Sequence, residues 1–427
     1  MHDLLIAAGV QFGGHFAKNI APLKLYFSDD PNWDISTTRW GMFQSAVTLP
    51  CVVFPWLLGQ SVDRRRKTKK VLVAALVIVC VGELIFIVST RDHWLVGCLV
   101  GRFVFGVGEG IVSSLSVFMA ATSVPKFKMT AIGLTQCFHA LAVACSKASL
   151  AVFAERSNSY VGALCLSLFT CLVSLVIGML WTPKRRDLPI ISCDQEEVTS
   201  RSRICCRSSQ ARLSMDFWLV AGIHMTFSSS HRLFGHIDAP FLAEKFGHST
   251  SMAGYASSIT EFVAVIVSPP VGLFLDIHCT VYTLPRLLFV SACVGSLAYL
   301  ALTSTTVSEQ IMKVALIFIG IINGITPTVM KSVIPETVHQ SSLATAFGIY
   351  ESSEAFGVVL GSIAIGAVAD IFLGGYNTCV PYFSGLLLVS TLMAGVLLVR
   401  REAEDKQVNQ GTDIDPFMPC AICQHQT

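Results

Sequence analysis

FPWLLGQSVDRRRKTKK at residues 54–70 and SPPVGLFLDIHC at residues 268–279 decide how this chain folds. Each closes an apolar run with Gly-x-x-x-Asp: Gly59 with Asp63, and Gly272 with Asp276, 213 residues apart in a chain of 427. A glycine at such a place lets membrane helices approach closely. An aspartate ending the run can accept hydrogen bonds from the N-terminus of a neighbouring helix, making a latch that one conformation forms and another breaks. A basic cluster, Arg64 to Lys70, follows the first aspartate. One motif at equivalent places in the two halves marks a duplication, in which two bundles rock about a central site.

Composition agrees. Residues of the set AVILMFWYC make up 53% of the chain and charged residues 14%, about half the ~25% usual for soluble domains. There is too little polar surface to cover a soluble globule, which excludes an ordinary cytosolic enzyme and a disordered chain. A formal net charge of +2, with no nucleic-acid-reading motif, argues against a DNA or RNA partner.

Twelve runs meet the requirement of about 20 mostly apolar residues for a membrane-crossing helix: 4–25, 40–59, 71–89, 94–118, 130–153, 159–182, 215–240, 248–272, 284–304, 310–330, 342–370 and 379–400. The first has no basic region before it and contains His15 and Lys18, so it reads as a retained span, not a cleaved leader. Only three residues precede it, which reads as a very short tail or a start lying further upstream. The predicted fold is all-α: two pseudo-symmetric six-helix bundles at 1–182 and 215–400, a polar basic linker at 183–214 and a tail at 401–427. Twenty of the thirty Lys and Arg fall on one side, Lys331 among them, and six, including Arg232, near the other. That bias puts both termini in the cytoplasm. Cys193, Cys205 and Cys206 in the linker read as plain juxtamembrane thiols, with palmitoylation as the alternative. The tail pair Cys420 and Cys423 lacks a second pair at zinc spacing, and no cofactor or metal is expected.

GQSVDRRRK resembles the inter-helix motif of the major facilitator superfamily, matching at Gly59, Asp63, Arg64 and Lys67 and departing at Ser61 and Arg66. GRFVFGVGEG (101–110) resembles that family's fourth-helix motif. GRFVFGVGE, EKFGHSTSMAG (244–254), SPPVGLFLD (268–276) and VIPETVHQSSLATAFG (333–348) look like its lysosomal dipeptide transporter branch. The resemblance implies an alternating-access uniporter releasing dipeptides from a lysosome or vacuole, with a glycosylated single-span membrane protein as accessory partner. No asparagine here begins an Asn-x-Ser/Thr sequon, as in that transporter. The branch's fifth-helix arginine, which would meet a substrate carboxylate, corresponds here to Ala140.

A charge at the bilayer centre costs about 2.5–3.5 kcal/mol on insertion scales, so each such residue is a site candidate. Arg102 and Glu109 lie two turns apart on one stripe of the fourth span. Arg102 reads either as a brace between helices, grouped with the latch, or as transport machinery. His139 and Lys147 in the fifth span offer the cation missing at Ala140. Glu351 and Glu354 lie at i and i+3 on one face. Two like charges persist there if one is protonated, or if cations from the substrate or another helix neutralise them. Such a pair favours a cationic solute. Glu261 in the eighth span and His15 and Lys18 in the first complete the set.

A zwitterion needs an acid and a base on opposed walls, and Glu109, Glu351 and Glu354 against His139, Lys147 or Lys18 supply them. The absence of a Gly-Pro pair in the fifth span argues against drug efflux, and no HExxH or GxSxG motif indicates an enzyme. The competing readings are a proton-coupled carrier of another small solute and a solute sensor that does not transport.

Overall fold

The computed structural model of the chain describes residues 2–33, 35–65, 68–157, 159–181, 213–278, 283–304, 308–371 and 375–409. Lys67, most of the linker and all five cysteines of the linker and tail lie outside these residues, as does the side chain of Arg64.

The fold is an all-helical bundle of twelve spans. Eleven of them run Thr37–Arg65 (as Thr37–Thr48, a turn at Pro50–Val52, and Phe54–Arg65), Thr68–Arg91, Leu95–Ser123, Lys128–Ser157, Tyr160–Leu180, Met215–Phe246, Thr250–His278, Thr283–Thr303, Glu309–Thr337, Leu343–Ile371 and Val380–Asn409. The first is broken into His2–Val10, Phe12–Lys18, Ala21–Leu23 and Lys24–Asp29. Among the described residues, ten of the helices are long and apolar enough to cross a membrane. The broken first span is one of the two others. The second is the seventh, whose hydropathy is lowered by His224, His231, Arg232, His236 and Asp238. Several helices outrun their apolar stretch, because the helical backbone goes on satisfying itself where side chains turn polar.

The reading of 4–25 as one continuous helix is corrected. Asn19 departs from helical geometry and Pro22 opens the short 3-10 turn at Ala21–Leu23. A proline cannot donate into the preceding turn and disfavours helix before it.

The buried apolar side chains of the second half form one large cluster, from Phe217 to Leu397, joined by Val117, Ala121, Met129 and Ile132 of the first. Those of the first half gather in smaller clusters around Leu76 and Leu115, Phe27 and Trp40, and Phe105. Between the halves the contacts are backbone-close at glycine. A Cβ on Gly59 would fall on the Ala344 carbonyl, one on Gly348 on that of Pro55, and one on Gly272 on that of Met129. The second span thus lies against the eleventh, and the fifth against the eighth.

Candidate functional site

The break in the first span builds one wall of the site. It frees the carbonyls of Ala17 and Lys18, and a carbonyl without a partner in hydrocarbon is costly. Arg102 satisfies both, donating from its two terminal nitrogens over 3.1 and 2.7 Å, while the Ser146 hydroxyl donates to Asn19 O over 2.8 Å. Arg102 is fully buried, faces the rings of Phe86 and Phe105, and has Glu83 at 3.9 Å to balance its charge. It therefore holds the kink that presents Lys18 and His15, and it belongs to neither latch. Its place in the latch set is corrected. Glu83, in a span read simply as apolar, is its counter-ion.

Three acids in the middle of the molecule share one design: each is met by a permanent cation and by an imidazole, on different oxygens in Glu109 and Glu354 and on the same oxygen in Glu261. Lys18 Nζ lies 3.0 Å from Glu109 Oε2, and His15 Nδ1 3.1 Å from Oε1. Arg232 Nε donates to Glu354 Oε1 over 2.7 Å, and His224 Nε2 lies 3.2 Å from Oε2. Glu261 Oε1 has Lys147 Nζ at 3.5 Å and His231 Nε2 at 3.2 Å, while Asn323 donates to Oε2 over 3.0 Å. Lys147 also reaches Asp238 Oδ2 at 2.5 Å, and Lys331 Nζ lies 3.6 Å from Glu351 Oε1 and donates to Gln136 Oε1 over 3.3 Å. Three of these links join the bundles, Lys147 to the seventh and to the eighth span and Lys331 to the fifth.

Taken together, four permanent cations (Lys18, Lys147, Arg232 and Lys331) face five carboxylates (Glu109, Asp238, Glu261, Glu351 and Glu354). Unpaired buried charge is costly, so the surplus acid calls for a proton or a further cation. Five histidines, His15, His139, His224, His231 and His236, line the same cavity. The rings of His15 and His139 lie 3.9 Å apart. His224 is stacked on Tyr350 at 3.6 Å and paired with the Ser228 hydroxyl at 2.6 Å, which fixes its orientation. The cavity measures about 50 Å³ in this closed arrangement, room for a few waters and well below the ~300 Å³ at which small-molecule sites begin.

Of the predicted residues, His15, Lys18, His139, Lys147, Glu261 and Glu354 line this cavity. Glu109 stands behind Lys18 and His15, and Glu351 behind Lys331. The acid pair at 351 and 354 is neutralised by cations from two other helices. Two residues assigned by charge-counting to the membrane faces are corrected: Arg232 and Lys331 lie inside spans and line the cavity. Lys313, which falls within the apolar run 310–330, is half-exposed beside Glu309 near the start of the tenth helix. Asp238, His224, His231, His236 and Asn323 went unread. A signal for three of them existed, since His224, His231 and Asp238 recur every seven residues, two helical turns, along one stripe of the seventh span.

The aspartates of both predicted latches are bonded to the opposite bundle on the face that carries the chain termini. Asp63 accepts from the backbone N–H of Ala344 (3.2 Å) and Thr345 (2.8 Å) and from the Thr345 hydroxyl (2.6 Å). Asp276 accepts from Met129 N (3.1 Å), Thr130 N (2.7 Å) and the Thr130 hydroxyl (2.5 Å). Each carboxylate of one bundle thus caps a helix N-terminus of the other.

The sequence profile described as Major Facilitator Superfamily matches residues 4–237 and again 217–420. The lysosomal dipeptide transporter MFSD1 of Bos taurus is 23% identical over 95% of this chain and 86% of its own length. The human protein of that name is 22% identical over 95% and 87%. The crystal structure of the human organic anion transporter MFSD10 superposes with a TM-score of 0.71 at 14% identity, over 92% of this chain and 99% of that one. At that identity the likeness concerns the fold.

Proposed function

The chain belongs to the major facilitator superfamily, and from that premise we propose that it carries dipeptides, cationic ones included, out of a lysosome or vacuole as a uniporter, with both termini in the cytoplasm. The surplus of carboxylates over permanent cations, counted over the cavity lining and the acids directly behind it, carries this reading. A dipeptide brings an ammonium and a carboxylate some distance apart. Its ammonium, or a basic side chain, satisfies the surplus acid at Glu354, Glu351 or Glu261, and its carboxylate takes up a lysine or arginine. The internal pairs that tie the bundles, Lys147 to Asp238 and Glu261 above all, then exchange for pairs with the solute. The bundles separate on one side without stranding a buried charge, which would cost about 3–5 kcal/mol. The names of the relatives support the substrate class and the membrane. The glycosylated single-span partner is part of the same proposal.

A second reading has its own observation. Each of the three central acids has a histidine within 3.1–3.2 Å, the residue type whose charge changes near pH 6.5. That arrangement suits a carrier that moves a proton with its solute. Flux of mass-tagged solutes into proteoliposomes tests both. Uptake of dipeptides above amino acids, sugars and organic anions supports the first reading, and uphill accumulation driven by a pH gradient alone supports the second. No flux of any solute, with binding retained, overturns both in favour of a sensor.

A further inference from the structure

Gly366-Ala-Val-Ala-Asp370, at the far end of the eleventh span, repeats the Gly-x-x-x-Asp pattern on the face opposite the termini. Its geometry repeats as well. Asp370 accepts from the backbone N–H of Thr37 (3.0 Å) and Thr38 (2.8 Å) and from the Thr38 hydroxyl (2.6 Å), distances that match those of Asp63 and Asp276 bond for bond. A Cβ on Gly366 would meet the Thr37 carbonyl and the Thr38 Cα, as one on Gly59 meets Ala344 and Thr345. The second and eleventh spans are therefore zipped along their whole length. Asp63 of the second caps the start of the eleventh, and Asp370 of the eleventh caps the start of the second. Beside this junction Lys24 donates to the Thr37 hydroxyl over 3.2 Å and lies 4.4 Å over the Tyr376 ring, a further tie between the bundles.

We infer that Asp370, with Thr37 and Thr38, is a third latch, which holds the second entrance of the carrier shut and must open whenever that entrance does. The device rests on the alternating-access reading and on no particular substrate.

The duplication provides a fourth position for comparison. Thr130 and Thr345 are equivalent, 215 residues apart, so the counterpart of Asp370 is Glu155 and that of Gly366 is Ala151. By the 213-residue offset of Asp63 and Asp276, the helix start it would cap is Thr250 and Ser251. Glu155 is exposed and caps nothing among the described residues. The eighth span is capped instead from its own chain, with Met252 N donating to the Ser249 hydroxyl over 3.4 Å. Among the described residues the face of the termini thus has two carboxylate latches and the opposite face one. Removing Asp370 therefore leaves the opposite face with no carboxylate latch among the described residues.

Hydrogen–deuterium exchange of the full chain in lipid nanodiscs tests this without any solute. D370N is expected to raise uptake several-fold in peptides covering 36–45 and 362–371 and to leave 343–350 unchanged or more protected, whereas D63N gives the reverse. E155Q is expected to match the wild type. T38V, which removes one hydroxyl, gives a smaller rise on the same side and decides the matter if D370N fails to fold. Wild-type uptake in D370N or T38V, or a rise shared equally by both faces, overturns the latch. E155Q behaving as D370N does overturns the asymmetry. A failed flux screen beside a one-sided rise in exchange would sink the substrate reading and spare the latch.

Discussion

Arg232 and Glu354, 122 residues apart, meet at 2.7 Å and tie the seventh span to the eleventh inside the cavity. The pair is largely buried, with side chains 21% and 11% exposed, and breaking such a pair by removing one member costs up to about 3–5 kcal/mol because the other charge is stranded. E354Q and R232Q should each lower dipeptide flux at least tenfold, and the combined R232Q/E354Q chain should fold better than either single variant. Flux per folded carrier, set beside melting temperature, checks this. Single variants that transport normally would remove the pair from the site.

Glu351 and Glu354 are neighbours with different partners. Glu354 is held by Arg232 and approached by His224, whereas Glu351 has Lys331 at 3.6 Å. Alanine at each should lower uptake of dipeptides with a basic side chain, more at Glu354 than at Glu351, and should spare neutral dipeptides by comparison. Unchanged cationic uptake in the double variant would refute an acidic substrate pocket.

Asp63 and Asp276 cap helix starts of the opposite bundle, and a lost cap of this kind costs about 0.5–2 kcal/mol. D63N and D276N should therefore shift the population toward the state open on the terminal face, by up to roughly thirtyfold each. The check is the labelling rate, by a membrane-impermeant thiol reagent, of a cysteine placed at Gln136 on the cavity wall. A rate unaltered by both substitutions would show that these contacts do not hold that face.

Arg102 braces the kink from a fully buried position, with Glu83 as its counter-ion. R102M should destabilise the fold strongly by stranding both Glu83 and the carbonyls of Ala17 and Lys18. R102M/E83Q should recover only part of the loss, since the carbonyls stay unpartnered. Full recovery in the double variant would reduce Arg102 to a counter-ion.

Asp30, in the loop after the first span, has its carboxyl held down to about 2, foremost by the Tyr160 hydroxyl donating over 2.7 Å and then by Asn32 N over 2.9 Å. A depressed carboxylate contributes stability that is present above its unfolded value, about 3.9, and is lost as pH falls through the folded value of about 2. The melting-temperature difference between wild type and D30N should thus stay level from pH 7.5 to pH 5 and shrink below about pH 4. A difference that already narrows between pH 7 and 5 would contradict this account. The contact accordingly persists at pH 5.

The terminal-face latches were legible because the physics that makes them is local. A glycine for close approach and an aspartate one turn later at a membrane face leave a pattern in the chain, and duplication prints it twice. The third copy, at Gly366 and Asp370, has the same pattern and lies at the other face, away from the basic cluster that draws attention to Asp63. The kink at Asn19 was harder to see. Gly13, Gly14 and Pro22 sit inside an apolar run of ordinary length, and the Arg102 guanidinium, 84 residues from Lys18, together with the Ser146 hydroxyl makes a broken helix tolerable there.

Hydropathy and duplication by themselves determined the number of spans, the two-bundle plan, the terminal-face latches and the candidacy of Glu109, Lys147, Glu261 and Glu354, because insertion into lipid acts on each helix in turn. Whether a cation serves a membrane face or a cavity wall depends on which helix lies opposite it, and that only packing decides. Arg232 and Lys331 read as surface charges in the linear chain and become the partners of Glu354 and Glu351 in the folded one. Charges brought from distant helices into one water-poor space must balance there, and that balance is a property of the assembled bundles.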